Sequence, residues 1–308
     1  MPGWRSLLLA SLACVSMSAG QAAVLVPVTS VPNSKSTTVY GINSDNVLVG
    51  SFIGSDDIEH GFFGENGSYT TFDAGEGGTQ ARGISDDGLI TGLSNSQSGD
   101  AGAQPIFERK TDGTILSVTR TGIDLAGSAQ GFSNGDDRFA GTYWNPNIHH
   151  TVAFVGQNGK WRSDVTISDV HQASSARGMN SAGTVVGSYF RPPQHGFMVT
   201  NKVLTIVDYP VKRAVATELE GINDGGEAVG QWMDRAGRTH SFVLDTASNN
   251  FTAIKVKGAT DVKAWGINAA GAVALETDIG AFIWCKQKSA CPSGGTFVAA
   301  PVIRAKHR

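Results

Sequence analysis

The chain has 308 residues, with 24 Lys and Arg against 27 Asp and Glu, a net charge of −3, only 17% charged residues and 39 Gly. Its one basic cluster is the tail Arg304, Lys306, His307 and Arg308, which is no broad face for displacing counterions, so a nucleic-acid partner is excluded. Abundant Gly with few charges suits short strands and tight turns rather than helices, and past the N-terminus no run is apolar for the 18 or more residues a membrane helix needs.

Residues 1–22 read as an export signal. Arg5 gives the positive start, residues 7–15 the short apolar stretch, and Gly20 with Ala22 the small residues ahead of a cleavage site. Cys14 as an acylated lipoprotein residue fits less well, because Ser11-Leu12-Ala13-Cys14 lacks an aliphatic residue three before the Cys. The expected product is exported, extracellular or periplasmic, and has no membrane span after signal removal. The remaining residues, 23–308, form one expected domain. They begin with a strand at 24–29.

Six copies of one phrase follow, starting near residues 40, 82, 130, 177, 220 and 265. Each opens on Gly, an apolar residue and Asn or Ser: Gly41-Ile42-Asn43, Gly83-Ile84-Ser85, Gly131-Phe132-Ser133, Gly178-Met179-Asn180, Gly221-Ile222-Asn223 and Gly266-Ile267-Asn268. A turn comes next, such as Asn223-Asp224-Gly225-Gly226, where Asn can bond the backbone two residues on and the final Gly accepts positive φ. A second apolar run ends at Gly50, Gly92, Gly141, Gly187 or Gly230, with Leu275 in that place in the last copy. The third run carries a Phe in every copy, preceded by His60, His195 and His240 in three of them. Fourth strands are expected at 69–73, 114–118, 160–165, 203–208 and 251–256, with 296–302 as the sixth.

Copies recur every 42, 48, 47, 43 and 45 residues, and each holds four short runs of period two. Four antiparallel strands per repeat predict an all-β β-propeller of six four-stranded blades, because stacked sheets bury the recurring Phe and circular closure leaves only short edges. Both the strand at 24–29 and the one at 296–302 could complete the last blade, and the sequence leaves both open. Cys285 and Cys291, near the end of the last copy, are expected to form a disulfide on that blade in an oxidising compartment.

Gly-Ile-Asn, a following Gly and a His-Gly-Phe-like strand together resemble the HAF-repeat family of predicted extracellular repeat proteins. The clearest copies are Gly41-Ile42-Asn43 with His60-Gly61-Phe62, Gly178-Met179-Asn180 with His195-Gly196-Phe197, and Gly221-Ile222-Asn223 with His240-Ser241-Phe242. The resemblance covers residue 40 to about residue 284 and implies an exported repeat protein. It implies no activity. The second and third copies lack the His, and the sixth lacks both the His and the second Gly, so no role for a full ring of histidines carries over.

Function is therefore sought where the repeat stops repeating. Immediately before each opening Gly stand Tyr40, Arg82, Gln130, Arg177, Glu220 and Trp265. If the first strand is innermost, these six ring the channel mouth and suit an anionic or sugar-like ligand through forked hydrogen bonds and stacking. The loops after the second strand in copies three and four form a second group: Tyr143, Trp144, His149 and His150, with Tyr189 and Arg191. Trp144 is a further candidate ligand contact. An eliminating lyase would need a Tyr or His base beside an Arg, which Tyr143, His149, His150, Tyr189 and Arg191 could supply; a hydrolase would need paired carboxylates, and Asp56, Asp57 and Glu59 are the one dense group outside the turns.

His60, His195 and His240 occupy one position on different blades and are read as hydrogen-bonded structural residues, so no metal site is expected. Phosphate-loop, nucleophile-elbow, zinc-helix and calcium-loop motifs are absent and no cofactor is expected. The expectation is a monomeric, non-catalytic binding or scaffold module for a carbohydrate, a peptide or another exported protein of the envelope. The alternative is a polysaccharide lyase or hydrolase using the same face.

Overall fold

The computed structural model describes residues 23–65, 67–95, 104–133, 135–167, 172–292, 298–300 and 303–304; the expected export signal at 1–22 lies outside the described residues. The fold is an all-β propeller, and the one helical element among the described residues is the 3-10 turn Lys288–Ala290.

Its described strands form five sheets built from antiparallel sets, the largest of which joins two such sets through one parallel bridge from Gln194 to Ala216. The first four-stranded set runs Ser36–Ile42, Leu48–Ile53, Glu59–Glu65 and Ser68–Phe72, and its pattern recurs along the chain. The first strands of the later sets are Thr79–Ile84, Gly127–Phe132, Ser174–Met179, Ala214–Ile222 and Val262–Ile267. Each contacts its neighbour in sequence and the last contacts the first, so these strands make a closed inner ring. The last set takes its fourth strand from the N-terminus: Ala23–Pro27 pairs with Gly280–Cys285, opposing Val24 to Cys285. Val298–Ala300, expected to compete for that place, adds outside it. Ile303–Arg304 pairs with the outer strand Asn250–Ile254 of the preceding set, so the C-terminal chain bridges two blades. Cys285 and Cys291 form a disulfide with their Cα atoms 5.6 Å apart, anchoring the loop beside this closure.

The recurrent Gly and Phe turn out to be partners across a ladder. Gly50 opposes Phe62, Gly92 Phe107, Gly141 Phe154, Gly187 Phe197 and Gly230 Phe242. A Cβ at Gly50 would lie 2.7 Å from the Phe62 ring, and one at Gly230 would lie 2.6 Å from the Phe242 ring, so the ring fills the space the Gly leaves. These five rings are fully or almost fully buried between blades. In the sixth set Leu275 opposes Phe282, which is accordingly only part-buried.

The repeated Asn joins blade to blade. Asn223 Oδ1 accepts from the Glu227 amide at 2.9 Å and closes its own turn, while Nδ2 donates to the Asn268 carbonyl of the next blade at 3.0 Å. Asn268 Nδ2 donates in turn to the Asn43 carbonyl at 3.0 Å, across the junction between last blade and first. Asp86 and Asp224 also bridge blades: Asp86 accepts from the Ser44 amide at 2.8 Å and hydroxyl at 2.9 Å, and Asp224 from the Ser181 amide at 2.7 Å. These bonds lie at the turn end of the inner strands, opposite the end where Tyr143 and Tyr189 lie beside first-strand residues Gly127 and Ser174.

Candidate functional site

All six inner strands break register at the same point. In the first, Val39 pairs with Gly50 and Gly41 with Val49, which leaves Tyr40 as the extra residue of a β-bulge. Arg82, Arg177 and Glu220 are extra in the same way, and the shifts in the other two strands span Gln130 and Trp265. A bulge re-aims one side chain without ending the ladder. Here all six re-aimed side chains line one axial cavity.

The Gly after each bulge lets the strands meet. A Cβ on Gly131 would stand 2.6 Å from the Gly178 Cα, and one on Gly178 would stand 2.8 Å from the Gly221 Cα, so no side chain fits at this waist. Beyond it Ile42, Phe132, Met179, Ile222 and Ile267 form an apolar layer with the axial cavity on one side and a smaller space, lined by Asn180, Asn223 and Asn268, on the other. The axial cavity holds about 60 Å³. That is room for a few waters or one small polar group, not for a sugar ring.

Its walls are charged and aromatic. Tyr40 and Trp265 meet edge to face with centroids 5.4 Å apart, and the Arg82 guanidinium lies 4.6 Å from the Tyr40 centroid and 5.9 Å from that of Trp265. Arg82 donates to Gln80 Oε1 through Nε at 3.0 Å and Nη2 at 2.6 Å. The buried Gln130 amide is oriented by its neighbours: its oxygen accepts from Arg177 Nη1 at 2.6 Å and from Arg82 Nη1 at 3.3 Å. Arg177 faces two carboxylates at long range, Glu220 Oε2 at 3.8 Å from Nε and Glu218 Oε2 at 4.0 Å from Nη2. Arg177 Nε and Glu220 Oε2 are both buried without a hydrogen-bond partner. Burial pushes the Glu220 carboxyl up to about 8; Arg177 and Arg82 oppose that shift and Glu218 reinforces it.

Sequence reasoning missed the supporting layer two residues ahead on the same strands. Gln80 ties Arg82 to Glu59, whose carboxylate accepts from Gln80 Nε2 at 2.9 Å and from the Ser51 hydroxyl at 2.6 Å. Glu218 accepts from Gln194, and Glu276, across the ladder from Lys263, accepts from the Trp265 indole at 3.1 Å. The signal was available, since alternate residues of a strand share a face and these positions also vary between copies.

The loop candidates do not gather. Tyr143 and Tyr189 are buried in two different interblade cores. The Tyr143 hydroxyl is held between Arg120 and Asp164, to which it donates at 3.1 Å, and burial with the nearby Asp164 charge pushes its phenol above the ordinary value. That phenol is a poor base. His149 and Arg191 are exposed, and His150 Nδ1 is bonded to the Ile148 carbonyl at 3.0 Å. Trp144 is 49% exposed on the third blade at the mouth end but does not line the cavity.

The three repeated histidines each stack on a second-strand aromatic, His60 on Phe52, His195 on Tyr189 and His240 on Trp232. Each also meets a carboxylate: His60 bonds Asp73 at 2.8 Å, His195 Asp208 at 2.8 Å and His240 Asp234 at 3.1 Å. No group of His, Cys, Asp and Glu among the described residues is placed to hold a metal ion.

No protein-family model matches the sequence, and no curated protein matches it. Among solved structures, the chain is similar to the WD40 β-propeller domain of Doa1, at 9% identity over 87% of this chain and 99% of that one, with a TM-score of 0.44. It is also similar to the β-propeller domain of the Trilobed protease from Pyrococcus furiosus, at 10% identity over 86% and 96% of the two chains, with a TM-score of 0.47. The likeness is one of fold alone.

Proposed function

We propose that this β-propeller is an exported, non-catalytic binding module, acting as a monomer, whose channel mouth recognises a carbohydrate. One observation carries the reading: the six side chains that differ between otherwise repeated copies all stand on bulges and all line the same cavity. Two aromatic rings, two guanidiniums, an amide and a carboxyl offer stacking and forked hydrogen bonds together, the combination a polyhydroxylated ring requires. Export is supported by the leader-like residues 1–22 and by the Cys285–Cys291 disulfide. Among the described residues no helix is long and apolar enough to cross a membrane.

The lyase or hydrolase alternative lacks comparable support. Tyr143 has an Arg within hydrogen-bond reach, but the pair is Tyr143 with Arg120, closed by Asp164 and packed on Trp161, away from the axis. A glycan array run with a polysaccharide-degradation screen tests the proposal. The expected result is retention of a saccharide without release of shortened products, abolished in Trp265→Ala; release of products, or retention unaffected by the substitution, would overturn it.

A further inference from the structure

The axial cavity holds two guanidiniums that no carboxylate among the described residues meets within hydrogen-bond distance. Arg82 is held by the amide oxygens of Gln80 and Gln130 and by two aromatic faces, and makes no ion pair among the described residues. A guanidinium withdrawn from water without a counter-ion is costly, and desolvation indeed holds the Arg82 pKa below the usual guanidinium value. Arg177 reaches Glu220 and Glu218 only at 3.8 and 4.0 Å, beyond a hydrogen bond, and its Nε proton is left pointing into a buried space with the equally orphaned Glu220 Oε2 beside it. Glu220 itself is 3% exposed. Two buried polar atoms without hydrogen-bond partners, a cation without an ion pair and about 60 Å³ of room describe a site that accepts one small polar group.

We infer that this site takes a carboxylate of the ligand, lodged on the axis between the Arg82 and Arg177 guanidiniums and accepting a hydrogen bond from the carboxyl of Glu220. The inference rests on the carbohydrate-binding reading and narrows it to acidic saccharides, in which a uronate carboxylate enters the cavity while the sugar ring stays at the mouth beside Tyr40 and Trp265. A planar carboxylate matches the fork of a guanidinium, and the cavity is too small for the ring that bears it.

Glu220 must be protonated to donate, and its environment favours that form. The charged groups facing it are Arg177 from the neighbouring inner strand, Arg82 from the strand across the ring and Glu218 from its own; burial outweighs the two cations and sets the carboxyl to about 8. Below that value the protonated Glu220 carboxyl adds a donor beside the two guanidiniums. Above it, an ionised Glu220 repels the ligand.

The test is calorimetric titration of the intact protein with trigalacturonate, its methyl ester, acetate, and a neutral trisaccharide, from about pH 6 to 9. At pH 6 trigalacturonate should bind at least about tenfold tighter than its ester, a difference set by the charge-assisted pair. Binding should weaken as pH rises through about 8 in the native protein and not in Glu220→Gln, whose amide keeps a donor. Equal affinity for acid and ester, or no response to any carboxylate, would overturn the inference. Binding of the neutral trisaccharide alone would overturn it and leave the carbohydrate reading standing. Acetate binding without any saccharide would keep the carboxylate site and remove the carbohydrate reading. Melting curves for Glu220→Gln and Arg177→Gln separate lost binding from lost folding, and the comparison of acid with ester on the native protein needs no variant.

Discussion

Phe197 is fully buried opposite Gly187, at the position where every copy of the repeat has Phe. Phe197→Ala should cost about 3 to 5 kcal/mol in a denaturant titration, since the ring leaves a void between two blades that cannot collapse onto a backbone. A near-neutral result would remove the interblade role. Glu220 governs a second residue-scale effect. Its folded pKa, about 8, lies above the ordinary 4.5, so its contribution to stability is fully present below about pH 4.5 and is lost as pH rises through about 8. His60 acts in the same direction: burial alone would lower its pKa, but the Asp73 and Asp56 carboxylates win and raise it above 6.5. Its contribution is therefore present below about pH 6.5 and lost as pH rises through the raised value. Thermal midpoints should accordingly fall from mild acid toward pH 9, and Glu220→Gln should flatten that decline; an unchanged slope would mean that Glu220 ionises freely in the fold.

Among elements, the inner strand does two jobs that the sequence writes in adjacent letters. The bulge residue faces the axis and varies, while the Gly after it packs against the next strand. Gly178→Ala should disrupt the waist, because its Cβ would meet the Gly221 Cα at 2.8 Å and backbone cannot yield as a side chain can. A cost of about 1 to 3 kcal/mol is expected, larger than for the same change at Gly135, where nothing lies within 4 Å but the φ of 92° still penalises Ala. The turn Asn is the other element-scale device. Asn223→Ala removes the bond to the Glu227 amide and the one to the Asn268 carbonyl, and should cost about 1 to 3 kcal/mol because buried backbone groups lose their partners. Periodic strands, turn tetrads and the Gly–Phe recurrence were legible in the sequence because they depend on neighbours within one copy. The bulges were not, since one extra residue leaves no mark until a strand is laid against its partner. For the same reason the interblade bonds of Asp86 and Asp224 leave no mark in the sequence, where both residues stand in turn segments.

For the molecule as a whole, the ring closes by placing the N-terminal strand Ala23–Pro27 beside Gly280–Cys285, so the last blade is built from both ends of the described chain. Leu25 and Trp284 oppose one another in that ladder and share a core with residues of the preceding blade. The disulfide sits at this joint without bridging it, since both cysteines belong to the C-terminal side. Reduction should lower stability by about 2 kcal/mol, the value for so short a loop in the chain-entropy model, and leave a folded ring; complete unfolding on reduction would show that the joint depends on the bridge. The sequence by itself determined the strand repeat, the blade pattern, the likeness of the six inner strands and the six positions where they differ, because periodicity and turn chemistry are local. Only the tertiary structure decided which terminus completes the last blade, that Tyr143 and Tyr189 belong to cores rather than to a site, and that Arg82, Arg177 and Glu220 share one cavity. Those outcomes depend on register and ring closure, which bring together residues more than forty positions apart.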